Sequence, residues 1–206
     1  AVNADAVPTA AGNRSGDLSG WHPSDLAAEV LKALATRNNL DPALIDDVIM
    51  GCVMQVGSQG LNIGRNAVLA AGFPESVPAT TVDRQCGSSQ QSAHFAAQGV
   101  IAGAYDIAVA AGVEVMSTTP MGASITPGSH PFGPKVIARY ADVDSYGQKG
   151  LQSQGIGAEL IADRWGISRE DLDEFGARSQ QLAEQATIEG RFENEIIPVV
   201  SKRLDK

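Results

Sequence analysis

Of the two cysteines in this 206-residue chain, Cys86 stands where a nucleophile would. The run Thr80-Thr81-Val82-Asp83-Arg84-Gln85-Cys86 begins β-branched, and Gly87-Ser88-Ser89 then opens a helical stretch. That layout puts a thiol on a strand-to-helix turn. A helix N-terminus carries partial positive charge and unpaired N–H groups, which favour the thiolate over the thiol. Gly87 and Ser88 leave room for a carbonyl to approach, and the same turn aims backbone N–H groups at an oxyanion as it develops. The Gly-x-Ser-x-Gly elbow of serine hydrolases is absent around this site.

The other residues capable of chemistry are few. Cys52 lies inside an apolar strand and reads as core packing. His94 follows Cys86 by eight positions on the same expected helix, a rise of about 12 Å, too far for a direct pair. His22 beside Pro23 reads as a surface loop residue, and His130 falls in a long loop where it is a candidate contact for a substrate. Glu114 reads as a structural carboxylate that hydrogen-bonds a neighbouring loop, with a base as the other reading. Met116 and Met121 are candidates to line a pocket or to fill gaps. Two cysteines and three scattered histidines make no four-ligand metal site, so no metal is expected.

The elements that must hold Cys86 follow from periodicity. Ser24 to Arg37 reads as an amphipathic helix with Leu26, Val30, Leu31 and Leu34 on one face and Ser24 as N-cap. A short helical turn starts at Asp41-Pro42. Strands are expected at Asp47 to Val53, Ala79 to Asp83 and Asp106 to Gly112, and helices at Asn62 to Ala71 and Ser88 to Ala104. The last helix is rich in small residues and is expected to be buried between layers. Strand and helix alternate, so parallel or mixed pairing with helical crossovers is predicted. From Ser117 to Gly155 the pattern breaks into a loop with Pro120, Pro127, Pro131 and Pro134. Helices resume at Ile156 to Trp165 and after Ser168, where Asp171 completes a capping box and Leu172, Phe175, Ser179, Leu182 and Ala186 form a stripe up to Gly190. Glu195 to Val200 is strand-like, demoted by Pro198 to an edge or irregular segment.

Composition bounds the partners. The formal charge is −9, and Lys and Arg are scattered without a basic cluster, which excludes nucleic acid as the main partner. No apolar run approaches the roughly 20 residues of a membrane span, and the opening Ala1-Val2-Asn3-Ala4-Asp5 has no signal pattern. Two cysteines form no disulfide framework, so a reducing, cytoplasmic setting is expected.

Taken together, the segments resemble the N-terminal half of a thiolase, over nearly the whole chain. The resemblance is carried by Val82-Asp83-Arg84-Gln85-Cys86-Gly87-Ser88, by Ala110-Ala111-Gly112-Val113-Glu114-Val115-Met116-Ser117, and by Ser168 to Phe192 with its Glu189-Gly190-Arg191-Phe192 ending. Asp17-Leu18-Ser19-Gly20 resembles the family's opening loop. The resemblance implies an α/β layered fold, one N-terminal half with a central mixed sheet between helices. It implies a thiolase-like domain over residues 1–116 and part of a substrate-covering loop domain over 117–206. It implies an acyl-CoA acyltransferase that cleaves or forms 3-ketoacyl-CoA, with Cys86 as nucleophile and Gly87 and Ser88 at the oxyanion turn. Met121, His130, Ser153 and Gln154 are its substrate-binding candidates. CoA and acyl-CoA enter as substrates, with no covalently bound cofactor, and a homodimer or homotetramer is implied for the intact protein.

Departures from the family pattern shape the expectation further. Pro8-Thr9-Ala10 stands where the family has Arg-Thr-Pro, and Ser89 stands where it usually has Gly. Ser153-Gln154 replaces the His-Met pair of short-chain biosynthetic members, which shifts weight to a degradative enzyme with a longer or bulkier acyl group. The family's Asn-Glu-Ala-Phe, Gly-His-Pro and Cys-Gly-Gly-Gly segments do not occur in these residues. The chain is thus expected to be an inactive half of such an enzyme. The other readings are a non-catalytic acyl-CoA-binding or assembly subunit and a condensing enzyme acting on carrier-protein thioesters.

Overall fold

The computed structural model describes residues 1–204. Two compact units occur: Ala1–Ser124 together with the segment from Glu195, and Ile125–Asn194. The sequence break at 116/117 marks where the strand and helix alternation stops, whereas the packing boundary falls after Ser124.

The first unit is built on a parallel sheet. β1 (Asp47–Gly51) lies between β2 (Ala79–Val82) and β3 (Ala108–Gly112). Val48 pairs with Ala79 on one side and Val109 on the other, and the register brings Gly51 opposite both Val82 and Gly112. Among the described residues this sheet has only parallel pairings. The three predicted strands are therefore neighbours, as the alternation with helices requires. β1 is fully buried on both faces from Val48 onward, which explains its continuous apolar run.

Helices cover both faces. α1 (Pro23–Arg37) and α2 (Ile63–Ala70) share a core with Val48, Met50 and Cys52, the even positions of β1 and its extension. Val48, Met50 and Ile63 are wholly buried, each contributing roughly 1.5–3 kcal/mol of transfer free energy. The N-cap of α1 falls two residues before Ser24: it is His22, without a side-chain cap bond. The reason is Pro23, whose fixed φ and missing N–H suit the first helical position. Ser24 instead bonds the His22 ring at 2.8 Å.

α3 (Ser88–Ile101) lies on the opposite face, and here the expectation of a buried helix fails. Only Ser88, Ser92 and Ala96 are buried, one residue per turn, while Ala93, His94, Phe95 and Ala97 are exposed. Small residues let one stripe approach the sheet closely. They do not imply a second layer on the other side.

The second unit corrects the reading of 117–155 as a structureless loop. It contains α4 (Pro134–Tyr140), a hairpin of β4 (Asp144–Ser145) and β5 (Gln148–Lys149), α5 (Gln154–Trp165) and α6 (Arg169–Ile188). Tyr146 and Gly147 both take positive φ, the conformation a two-residue hairpin turn requires. Tyr-Gly is an uncommon pair for such a turn, so no sequence signal marked it. The capping box is present: Ser168 accepts from Asp171 N–H at 3.1 Å and Ser168 N–H donates to the Asp171 carboxylate at 2.8 Å. The strand-like 195–200 segment makes a single parallel bridge, Ile197 to Thr9, in the first unit. Among the described residues no helix is long and apolar enough to cross a membrane.

Candidate active site

The C-terminal ends of the three parallel strands define the site end of the sheet, where α/β folds place their ligands. β2 runs into Asp83-Arg84-Gln85, and Cys86 follows as an exposed residue with φ 62°. A side chain other than glycine in the left-handed region is strained and calls for something that holds it. The hold is a closed turn. Gly87 N–H donates to the Arg84 carbonyl at 2.6 Å. The buried Ser88 hydroxyl accepts from Arg84 N–H at 3.1 Å and donates to the Arg84 carbonyl at 3.3 Å. The Arg84 guanidinium reaches forward to the Gln91 side chain at 2.5 Å, one turn into α3.

Gly87 is the N-cap of α3, and no side chain caps the first turn. The opening N–H groups of an uncapped helix have no intrahelical acceptors, so they are left to an incoming negative charge. The helix start is seated directly on the sheet. A Cβ at Gly51 would run into the backbone of Ser88 and Ser89, and one at Gly112 would run into the Ser89 side chain. These two glycines, paired in register at the ends of β1 and β3, permit the close approach. Their role was not read from the sequence. The available signal was that two expected neighbouring strands each end in glycine.

The other cysteine is unlike Cys86. Cys52 is buried, and its thiol is pushed up to about 12, first by burial and then by the negative charges of Glu114 and Asp83. It stays a neutral core residue. Glu114 acts as a loop-binding carboxylate, accepting from Val53 N–H at 2.8 Å. His94 is exposed on α3, and among the described residues no histidine is hydrogen-bonded to Cys86.

The remaining candidates are dispersed. Met121 belongs to the first unit and is 78% exposed. It lines a broad groove of about 1980 Å³ with Leu31, Ala97, Ala110 and Met116, whose walls do not include Cys86. His130, Ser153 and Gln154 belong to the second unit. His130 bonds the Phe132 backbone through Nδ1 and borders a cavity of about 410 Å³ with Lys149 and Leu151. Ser153 caps α5 by accepting Ile156 N–H at 3.4 Å, and Gln154 is the first residue of that helix.

The family model described as thiolase, N-terminal domain, matches residues 1–206. The chain belongs to the thiolase family. It is similar to a steroid 3-ketoacyl-CoA thiolase of Mycobacterium tuberculosis, 46% identical over 203 residues that cover 95% of this chain and 48% of that protein. It is also similar to 3-ketoacyl-CoA thiolases of Photobacterium profundum (41% over 200 residues, 96% of this chain and 49% of the relative) and Pseudoalteromonas translucida (43% over 208 residues, 99% and 50%). The chain spans about half the length of the curated relatives it matches.

Proposed function

We propose that the protein carrying this chain is a 3-ketoacyl-CoA thiolase, with Cys86 as its acyl-accepting nucleophile. The observation that carries this reading is an exposed cysteine held left-handed at the uncapped N-terminus of a helix seated on two strand ends. In the cleavage direction the Cys86 sulfur attacks the 3-keto carbon, and the C2–C3 bond breaks. Acetyl-CoA leaves as its enolate and takes a proton, while the shortened acyl group stays on sulfur. The thiol of a second CoA then attacks that thioester, releasing the new acyl-CoA and returning the proton to Cys86. The uncapped start of α3, with Gly87 and Ser88 at the turn, supports the reading because a helix N-terminus favours negative charge that develops beside it, while Gly87 N–H itself is taken by the Arg84 carbonyl. Proton transfer is assigned to groups beyond these 206 residues, and the isolated chain is expected to be inactive.

Residues 117 onward are assigned to the part that covers the CoA thioester, with Met121, His130, Ser153 and Gln154 as substrate contacts. Ser153-Gln154, together with a steroid-acting relative at 46% identity, favours a bulky acyl group. CoA and acyl-CoA are substrates, and no bound cofactor is invoked. A cytoplasmic location and a homodimer or homotetramer complete the proposal. β2 supports the association because it is an edge strand with an exposed Thr80, and unpaired edges seek partners. The test is thiolysis: the intact protein with a 3-ketoacyl-CoA and free CoA should release acetyl-CoA. Binding of acyl-CoA without any cleavage would favour the non-catalytic binding subunit instead.

A further inference from the structure

Beyond Gly51 and Gly112, the loops that leave β1 and β3 are joined by a carboxylate and an amide that acyl transfer itself does not use. Glu114 accepts from Val53 N–H at 2.8 Å and from Met54 N–H at 3.4 Å. It also accepts from the side-chain amide of Gln59, Nε2 to Oε1 at 2.5 Å. Gln59 is wholly buried, and its other bonds complete the join: Nε2 also reaches the Met54 carbonyl at 2.9 Å, and Oε1 accepts Val115 N–H at 2.7 Å. The Ser58 and Thr119 hydroxyls, 3.1 Å apart, close the same two loops further out. Every polar atom of the pair faces a complementary group, an arrangement that rigidifies what it connects. What it connects are the two strand ends on which the first turn of α3 rests.

We infer that Glu114 and Gln59 are a positioning pair for Cys86, holding the seat of α3 so that the left-handed turn presents the sulfur at a fixed place. The inference rests on the reading of Cys86 as acyl acceptor. The chemistry of the pair is directional. Glu114→Gln puts an NH2 among the donors Val53 N–H, Met54 N–H and Gln59 Nε2, so at least one donor is left facing another. The reciprocal change Gln59→Glu supplies an acceptor for that new NH2 and still accepts Val115 N–H, but it loses the bonds to the Met54 carbonyl and Cys52 Sγ and sets a carboxylate oxygen against that carbonyl, so the recovery is partial.

The experiment is quenched-flow mass spectrometry of the intact protein mixed with acetyl-CoA. The acetyl–sulfur bond to CoA breaks, the bond to Cys86 Sγ forms, and the Cys86 proton ends on the CoA thiol. Glu114→Gln should slow acetylation of Cys86 at least tenfold while the half-saturating acetyl-CoA concentration stays within about twofold. The double variant E114Q/Q59E should recover to within about fivefold of wild type. If Glu114→Gln alone does not fold, the double variant carries the test: folding with near-normal acetylation supports the pair, and folding with a tenfold loss overturns it. Wild-type rates in Glu114→Gln also overturn it, leaving the acyl-acceptor reading intact. Absence of any adduct on Cys86 in wild-type protein overturns that reading and this inference with it.

Discussion

Replacing Cys86 by glycine and by alanine separates its backbone strain from its chemistry. Both changes remove the sulfur and should abolish acyl transfer. They differ in what they do to a residue with φ 62°. A side chain bearing Cβ in the left-handed region costs about 1–2 kcal/mol, which alanine retains and glycine escapes. Glycine gives back about 0.5–1 kcal/mol through the larger entropy of its unfolded chain. The side chain is exposed, so burial adds little to the difference. Cys86→Gly should therefore be more stable than Cys86→Ala by about 0.5–1 kcal/mol. At a urea slope of about 2 kcal/mol/M, that moves the unfolding midpoint up by about 0.25–0.5 M. The assay is equilibrium urea unfolding of the two variants side by side. Equal midpoints, or a higher midpoint for alanine, would refute the claim that the turn holds Cys86 under strain.

Three further outcomes follow from other parts of the molecule. Iodoacetamide at pH 8 should label Cys86 and spare Cys52, whose thiol stays neutral until about pH 12; peptide mapping that finds both modified in folded protein would contradict the burial argument. The same shift makes the folded state lose stability as pH climbs from about 9 toward 12, because the unfolded chain gives up the Cys52 proton first; denaturant midpoints of Cys52→Ala and wild type should converge or cross in that range. Ser168→Ala should cost about 1 kcal/mol by removing the cap of α6, seen as faster amide exchange in its first turn, and unchanged exchange there would count against the capping box.

The candidate site was legible where one residue's surroundings in sequence are also its surroundings in space. The strand-to-helix turn at Cys86 is local, so a β-branched run followed by small residues marked the turn, and the resemblance to a family marked the cysteine as nucleophile. The three strands were legible because β1 and β3 are short apolar runs and β2 is a short β-branched one, each set between helices. What escaped was set by contacts between distant segments. Gln59 joins Glu114 across 55 positions, and nothing in Ser58-Gln59-Gly60 announces that a carboxylate will face it. The β4–β5 turn escaped because Tyr146 takes a conformation that its side chain does not favour. The exposure of α3 escaped because residue size reports how closely a helix can pack, not how many of its faces are covered.

The most direct test of Cys86 as the acyl acceptor is to find the acyl group on it. The intact protein is incubated with an acyl-CoA, quenched in acid, digested and mapped by mass spectrometry. One acyl adduct per chain is expected, on the peptide that contains Cys86, and none in Cys86→Ala. An adduct on another residue, or normal acylation of Cys86→Ala, would show that Cys86 is not the acceptor.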